Sequence, residues 1–185
     1  MARIIFIVVF IGFFILNTLQ EKGFKERGSD TGGERPVRKG LFALGKLSTI
    51  LCWAAAFAQA CGLNLRLIAL PRGLELAAAV LFLFGFGVLW LAYRDLGDAN
   101  TTGLPAAVTE LKTKGVYAWS RNPLYAGLYL MTAGAAAYCS NVVVLVLGVT
   151  AVGVHHRIVL AEEKFLAARF GQAYMDYKAA TRRYL

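Results

Sequence analysis

Long apolar runs separated by short polar, glycine-containing stretches set the pattern of this chain. Stretches of this kind approach or exceed the roughly 20 apolar residues that cross a bilayer core. The first runs from about Ile4 to Leu19. Led only by Arg3, it has the look of a secretory leader, but the following Asn17-Thr18-Leu19-Gln20-Glu21 lacks a small-x-small cleavage pattern, so a retained helix is expected. A second run covers about Leu41 to Cys61, and a third starts near Gly73, after Pro71-Arg72, and reaches Leu91 or Tyr93 before Arg94-Asp95. Between Arg121 and Arg157 no residue is charged. A straight helix of those 35 residues would be about 52 Å long, more than any bilayer. The chain must therefore turn inside the interval, and Ser140-Asn141 predicts a tight hairpin between a fourth span (about Leu124 to Cys139) and a fifth (about Val142 to Leu160). Beyond it, Phe165, Leu166, Phe170, Tyr174 and Tyr177 recur at three- to four-residue spacing, leaving Lys164, Arg169, Asp176 and Lys178 for the wetter side of a tail helix.

These elements predict an all-α polytopic membrane helix bundle with about five transmembrane helices and a C-terminal amphipathic helix. Residues 1–93 hold three N-terminal spans with a polar linker at 20–40, and residues 94–185 hold a polar segment at 97–121, the hairpin and the tail.

Composition agrees with this pattern. The 185 residues are 58% hydrophobic and only 17% charged, against about 25% charged in soluble domains, which excludes an ordinary soluble enzyme, a disordered chain and a collagen-like one. The formal charge of +9 is explained by its distribution. On the proposed spans, 17 of the 20 Lys and Arg fall in the 20–46 region, the 94–121 segment and the tail, and only Arg3, Arg66 and Arg72 fall opposite. Alternate loops of a five-span chain share one side, so the bias predicts an N-out, C-in orientation. It reads as insertion topology, with no basic, aromatic-interleaved platform for nucleic acid. Cys52, Cys61 and Cys139 are odd in number, widely spaced and inside apolar runs, which suggests neither a disulfide framework nor a metal site.

Few motifs carry chemistry. Gly85-Phe86-Gly87 is half of a dinucleotide fingerprint, but Trp90 stands where the third glycine belongs and no strand precedes it, so close helix packing is the reading. The adjacent His155 and His156 point about 100° apart on a helix and make a poor joint metal site. The segment from Gly115 to Gly127 opens the fourth span, with Pro123 at a helix first turn and Arg121, Asn122 and Tyr125 as polar handles; it suits an interfacial anchor or a site. Glu162-Glu163 falls on the same side of the hairpin as Arg121. Two carboxylates at a membrane boundary form either a solvated helix end or a receiver for a cationic amine.

In order, G-x-Y-x-x-x-R-N-P-x-Y-x-G (Gly115 to Gly127), an uncharged hairpin, Glu162-Glu163, Phe170-Gly171, Tyr174, Tyr177 and the closing Arg183-Tyr184 resemble the isoprenylcysteine carboxyl methyltransferase and phospholipid methyltransferase superfamily, over roughly residues 94 to 185. The resemblance implies an enzyme that uses S-adenosylmethionine (SAM) without a Rossmann domain and holds it between the cytosolic ends of the last spans and the tail. It implies cofactor contacts at Thr109, Glu110, Leu111 and Lys112, at Tyr117, at Asn122, Pro123, Leu124 and Tyr125, and at Glu162. Glu162 would pair with the SAM ammonium, the two tyrosines would flank adenine or sulfonium, and the backbone of 109–112 would read the adenine edge. Asn122 stands where the family most often has His, and it cannot titrate near neutrality. Ile158 stands where prenylcysteine methyltransferases carry a carboxylate-binding Arg, with Arg157 one position off.

The expected function is methyl transfer to a lipophilic acceptor, isoprenylcysteine-like or phospholipid-like, that enters from the bilayer. Arg157 and Glu162 are the expected catalytic residues, with Arg157, His155 and His156 meeting the acceptor's head. The expected location is a bacterial inner membrane with the site facing the cytosol. Two rivals differ in kind: an NADPH-dependent enzyme like the membrane sterol reductases, and a non-catalytic lipid-binding membrane protein.

Overall fold

The computed structural model describes residues 1–26, 37–97 and 110–184. Among these the chain folds as α1 (Ala2–Glu26), α2 (Lys39–Ala60), α3 (Arg72–Leu96), α4 (Pro123–Cys139), α5 (Val142–Phe170) and α6 (Gln172–Ala180), with a 3₁₀ turn at Gly115–Ala118. No strand occurs among the described residues beyond an isolated parallel bridge between Ser120 and Arg182. The middle of the expected 20–40 linker, and Thr109, lie outside the described residues.

Four helices, α1, α2, α3 and α5, are long and apolar enough to cross a membrane, so the chain is an integral membrane protein built as a helical bundle. The expected fourth span forms, but its 17 residues rise only about 26 Å, short of the roughly 30 Å hydrocarbon core. It is the inner helix of the bundle, packed against α2, α3 and α5. Helices have no hydrophobic reason to associate in lipid, so close backbone approach through small residues supplies the contact. Gly85 on α3 and Gly127 and Gly134 on α4 do this: a Cβ on Gly127 would lie 2.7 Å from the Gly85 carbonyl oxygen, and one on Gly134 would lie 2.7 Å from that of Ala78. Gly87 faces open space, so of the two glycines in the Gly85-Phe86-Gly87 run only Gly85 makes the close backbone contact.

Aromatic side chains fill the middle. Phe6 of α1 stacks on Tyr138 of α4 at 4.1 Å between ring centroids, and Trp53 of α2 meets Phe13 edge-on at 4.9 Å. The Trp53 indole N–H donates to Thr132 Oγ1 at 3.1 Å, and Thr132 donates on to the Leu128 carbonyl at 2.8 Å. Both polar groups are thus satisfied where no water is at hand.

The hairpin turns at Ser140, whose φ of +44° is left-handed. Asn141 caps α5 by accepting from the Val143 N–H at 2.9 Å, and its amide donates to the Leu65 carbonyl at 2.6 Å, which ties the turn to the loop after α2. Past the turn, α5 continues for 29 residues, about 44 Å, longer than the roughly 30 Å hydrocarbon core, with Glu162-Glu163 toward its far end. The expected amphipathic tail is not one helix. Phe165, Leu166 and Phe170 prolong α5, Gly171 breaks the helix at φ +54°, and Tyr174 and Tyr177 sit on α6. The three- to four-residue spacing continues across the break because both pieces are helical; only the glycine marks the bend.

Candidate active site at the polar end of the bundle

The two adjacent glutamates toward the far end of α5 have opposite surroundings. One hundred degrees of helix rotation separates them, enough to aim Glu162 at α4 and Glu163 at the C-terminal segment.

Glu163 is a hub. Its Oε1 accepts from Arg121 Nη2 at 3.1 Å, Asn122 Nδ2 at 3.0 Å and Arg183 Nε at 3.1 Å, and its Oε2 accepts from Arg183 Nη2 at 2.9 Å. The Glu163 and Arg121 side chains are each 7% exposed, so each charge depends on the other for compensation. Arg183 is held above its ordinary pKa chiefly by this hydrogen bonding. Arg121 reaches further, donating to the Lys178 carbonyl at 3.1 Å and to the Thr181 carbonyl, while its backbone N–H donates to the Arg182 carbonyl at 2.8 Å. Ser120 Oγ donates to the Arg183 carbonyl at 3.1 Å. The start of α4, the end of α5 and the chain terminus are thereby fastened as one unit.

Glu162 is half-buried and its Oε1 accepts from the Tyr125 hydroxyl at 2.7 Å. Among the described residues it has no basic partner. Tyr117, buried in the 3₁₀ turn, lies close by. Its phenol is raised well above its ordinary pKa, first by burial and then by neighbouring Tyr177, Glu162, Asp95 and Tyr93. The Tyr117 carbonyl accepts from the Tyr177 hydroxyl of α6 at 2.6 Å, and burial pushes that phenol up to about 12. The turn is held from below by Asp95 at the end of α3, which accepts from the Val116 N–H at 2.9 Å. Gly115, at φ +63°, lets the backbone pass there, because a Cβ would run into the Asp95 carboxylate.

The remaining expected site residues divide around this cluster. Pro123 is buried and Leu124 half-buried at the first turn of α4. The Asn122 amide is occupied by Glu163 and by the Arg183 carbonyl at 3.3 Å. Glu110 is exposed and paired with Lys112 at 2.8 Å, which lowers its pKa; Leu111 is half-buried beside them. His155 is buried, its Nδ1 2.8 Å from the Ala151 carbonyl, and its ring lies 6.0 Å from that of Tyr125. His156 is half-buried against the Tyr184 hydroxyl at 2.7 Å. Arg157 is exposed, and five residues along a helix put it about 140° around from Glu162. The structure does not bring it to the carboxylate. Trp119, 80% exposed, is the one part of the Gly115 to Gly127 segment that behaves as an interfacial anchor; Arg121 and Asn122 are structural ties.

The sequence assigns Tyr93 no role and takes Glu163 only together with Glu162. Tyr93 sat unremarked at the end of an apolar span, and nothing in the Glu162-Glu163 pair distinguishes the two carboxylates until the helix phase is known.

A half-buried carboxylate with a neutral phenol partner, close to the buried Tyr117, has the chemistry to take a cationic ligand. Comparison with known proteins gives the family. No curated protein matches the chain, but the family description for phospholipid methyltransferase matches residues 74–173. The match takes in α3, the 3₁₀ turn, α4, α5 and the beginning of α6, and so surrounds the Glu162 cluster. It covers more than half of the sequence, and the chain belongs to the phospholipid methyltransferase family.

Proposed function

We propose that the protein is a SAM-dependent methyltransferase acting on a lipophilic acceptor drawn from the bilayer, with its site at the cytosolic face of a bacterial inner membrane and its N-terminus outside. The observation that carries this reading is the contrast between the two glutamates: Glu163 is neutralised by Arg121 and Arg183, whereas Glu162 keeps a carboxylate whose partner is the Tyr125 hydroxyl. Half-burial without a cation favours the neutral form of such a carboxyl, and a ligand that brings a cation favours the charged one.

SAM suits that vacancy in charge, carrying an ammonium and a sulfonium, and when bound it supplies a methyl group on sulfur. Glu162 pairs with the ammonium, and Tyr125 fixes the carboxylate's orientation. The faces of Tyr117 and Tyr125 favour the sulfonium by cation–π attraction. The first-turn N–H groups of α4 at Leu124 and Tyr125 suit a carboxylate, with Asn122 and Pro123 shaping that turn. Backbone groups of Glu110, Leu111 and Lys112, and of Thr109 by the family likeness, read the adenine edge. Arg157 and His155 take lesser parts: Arg157 meets an anionic headgroup at the rim, and His155 backs Tyr125. Methyl transfer needs alignment and dry surroundings more than strong acid–base help, which the tail fastened over α4 and α5 supplies. The working unit is residues 94–185, braced by α3.

Calorimetry on detergent-purified protein, titrating SAM and NADPH side by side, tests the reading. SAM binding to wild type, weakened about tenfold or more by Glu162→Ala and Tyr125→Ala as expected for loss of a charge-assisted contact, is the expected outcome. Binding of NADPH in place of SAM would favour the reductase class, and binding of neither would favour a non-catalytic lipid protein. Mass spectrometry of lipid extract incubated with isotopically labelled SAM then identifies the acceptor.

A further inference from the structure

A second polar group lies one helical turn deeper along α4 from Tyr125, and nothing in the proposed cofactor site uses it. Tyr184, near the end of the chain, places its hydroxyl 2.7 Å from His156 Nδ1 and 3.4 Å from the Tyr129 hydroxyl. The Tyr184 ring packs edge-on against Tyr129 at 5.3 Å and tilted against His156 at 6.0 Å. All three residues are half-buried, so a ligand reaches them, in contrast to His155, which is buried and turned to a backbone carbonyl. Tyr184 is held in place by its neighbour Arg183, clamped on Glu163.

We propose that His156 and Tyr184 form the proton-accepting pair for the methyl acceptor, with Tyr129 as a positioning residue. The inference rests on the methyltransferase reading and adds that the acceptor atom carries a proton to lose, as an amine, thiol or hydroxyl does and a carboxylate does not. In the step, the acceptor's X–H proton passes to Tyr184 Oη as the phenolic proton passes to His156 Nδ1. The electron pair left on X forms the new X–CH3 bond, the C–S bond of SAM breaks, and its pair goes to sulfur, which becomes a neutral thioether. The acceptor's proton thus stays on the Tyr184 phenol, and the former phenolic proton, now on the His156 imidazolium, is released from the half-buried ring to restore the neutral pair. For this, neutral His156 carries its hydrogen on Nε2 and accepts at Nδ1, while Tyr129 donates to Tyr184. Among the described residues, the charged and titratable groups acting on Tyr129 and Tyr184 include each other, Glu162 and Glu163 from α5, and Arg183 from the terminal segment. Burial raises the Tyr184 phenol, opposed by the Tyr129 hydrogen bond and by Arg183, so it serves as a relay that stays protonated at neutral pH.

The test uses full-length wild type, Tyr184→Phe, His156→Gln and Tyr129→Phe in detergent. Four readouts are taken: SAM affinity by calorimetry, transfer of labelled methyl to vesicles of the expression host's total lipid extract, the pH–rate profile, and ¹⁵N spectra of His156. Expected are unchanged SAM affinity in all variants, a kcat lowered about 10²-fold in Tyr184→Phe and His156→Gln and less in Tyr129→Phe, and loss of the acid limb of the profile in His156→Gln. The ¹⁵N spectra of wild type should show the Nε2–H tautomer. SAM-binding variants with wild-type kcat and an unaltered acid limb overturn the proposal, as does a wild-type His156 protonated on Nδ1. Variants that lose SAM affinity assign the trio to holding the fold instead. If wild type itself binds no SAM or transfers no methyl, the methyltransferase reading fails and the pair's catalytic role falls with it.

Discussion

Two neighbouring carboxylates show how far residue chemistry depends on direction. Glu162 and Glu163 are the same side chain, one peptide apart, yet one is a buried structural ion with two arginines and the other meets a phenol. Their substitutions should therefore fail differently. Glu163→Ala strands the Arg121 guanidinium, 7% exposed, and removing one partner of a buried pair costs about 3–5 kcal/mol. Thermal unfolding in detergent should show a clearly lowered midpoint, with the 120–122 and 181–184 segments becoming protease-sensitive. Glu162→Ala removes a carboxylate from a half-buried site without stranding a cation, so its midpoint should hold while SAM binding falls. Equal loss of stability in both variants would contradict the division of labour.

At the scale of elements, the pairing of α3 with α4 decides where the site stands, because Asp95 at the end of α3 supports the 3₁₀ turn that presents Tyr117. That pairing depends on backbone contact at Gly85, Gly127 and Gly134. Gly127→Ala places a methyl group where the Gly85 carbonyl and the Leu89 N–H already are. Overpacking of this kind costs about 1–3 kcal/mol, and the midpoint should drop accordingly. A larger residue, as in Gly127→Leu, should prevent recovery of folded protein. Gly87→Ala, which meets nothing within 4 Å, is the matched control and should behave as wild type. The length of α5 is the other decision at this scale. By running on to Phe170 before Gly171 turns the chain, it carries both glutamates beyond the uncharged part of the helix and brings Tyr177 of α6 back to Tyr117.

For the whole molecule, the proposed N-out, C-in orientation has a direct test in the native cysteines. Cys61 is exposed just after α2, while Cys52 and Cys139 are buried. In intact cells a membrane-impermeant maleimide should label Cys61 from the outside and leave the other two unmodified, and Cys61→Ser should abolish labelling. Labelling of Cys61 only after the membrane is opened would reverse the orientation and put the Glu162 end on the far side from cytosolic SAM.

The sequence by itself determined the helical membrane class, the hairpin at Ser140-Asn141 and the family likeness. Each of these rests on information local to the chain: apolar run length, a polar pair in an uncharged interval, and residue types in order. It also brought Tyr125 and Glu162 into one motif, though 36 residues of intervening chain give no hint of a hydrogen bond between them. Only the tertiary structure decided which glutamate is paired with arginines and which meets a tyrosine, that Arg157 faces away from the latter, that Asn122 is a tie to Glu163, and that Tyr184 comes back to His156. Those outcomes depend on helix phase and on which helices pack together, and a rotation of one residue, about 100°, exchanges a ligand-facing side chain for a structural one.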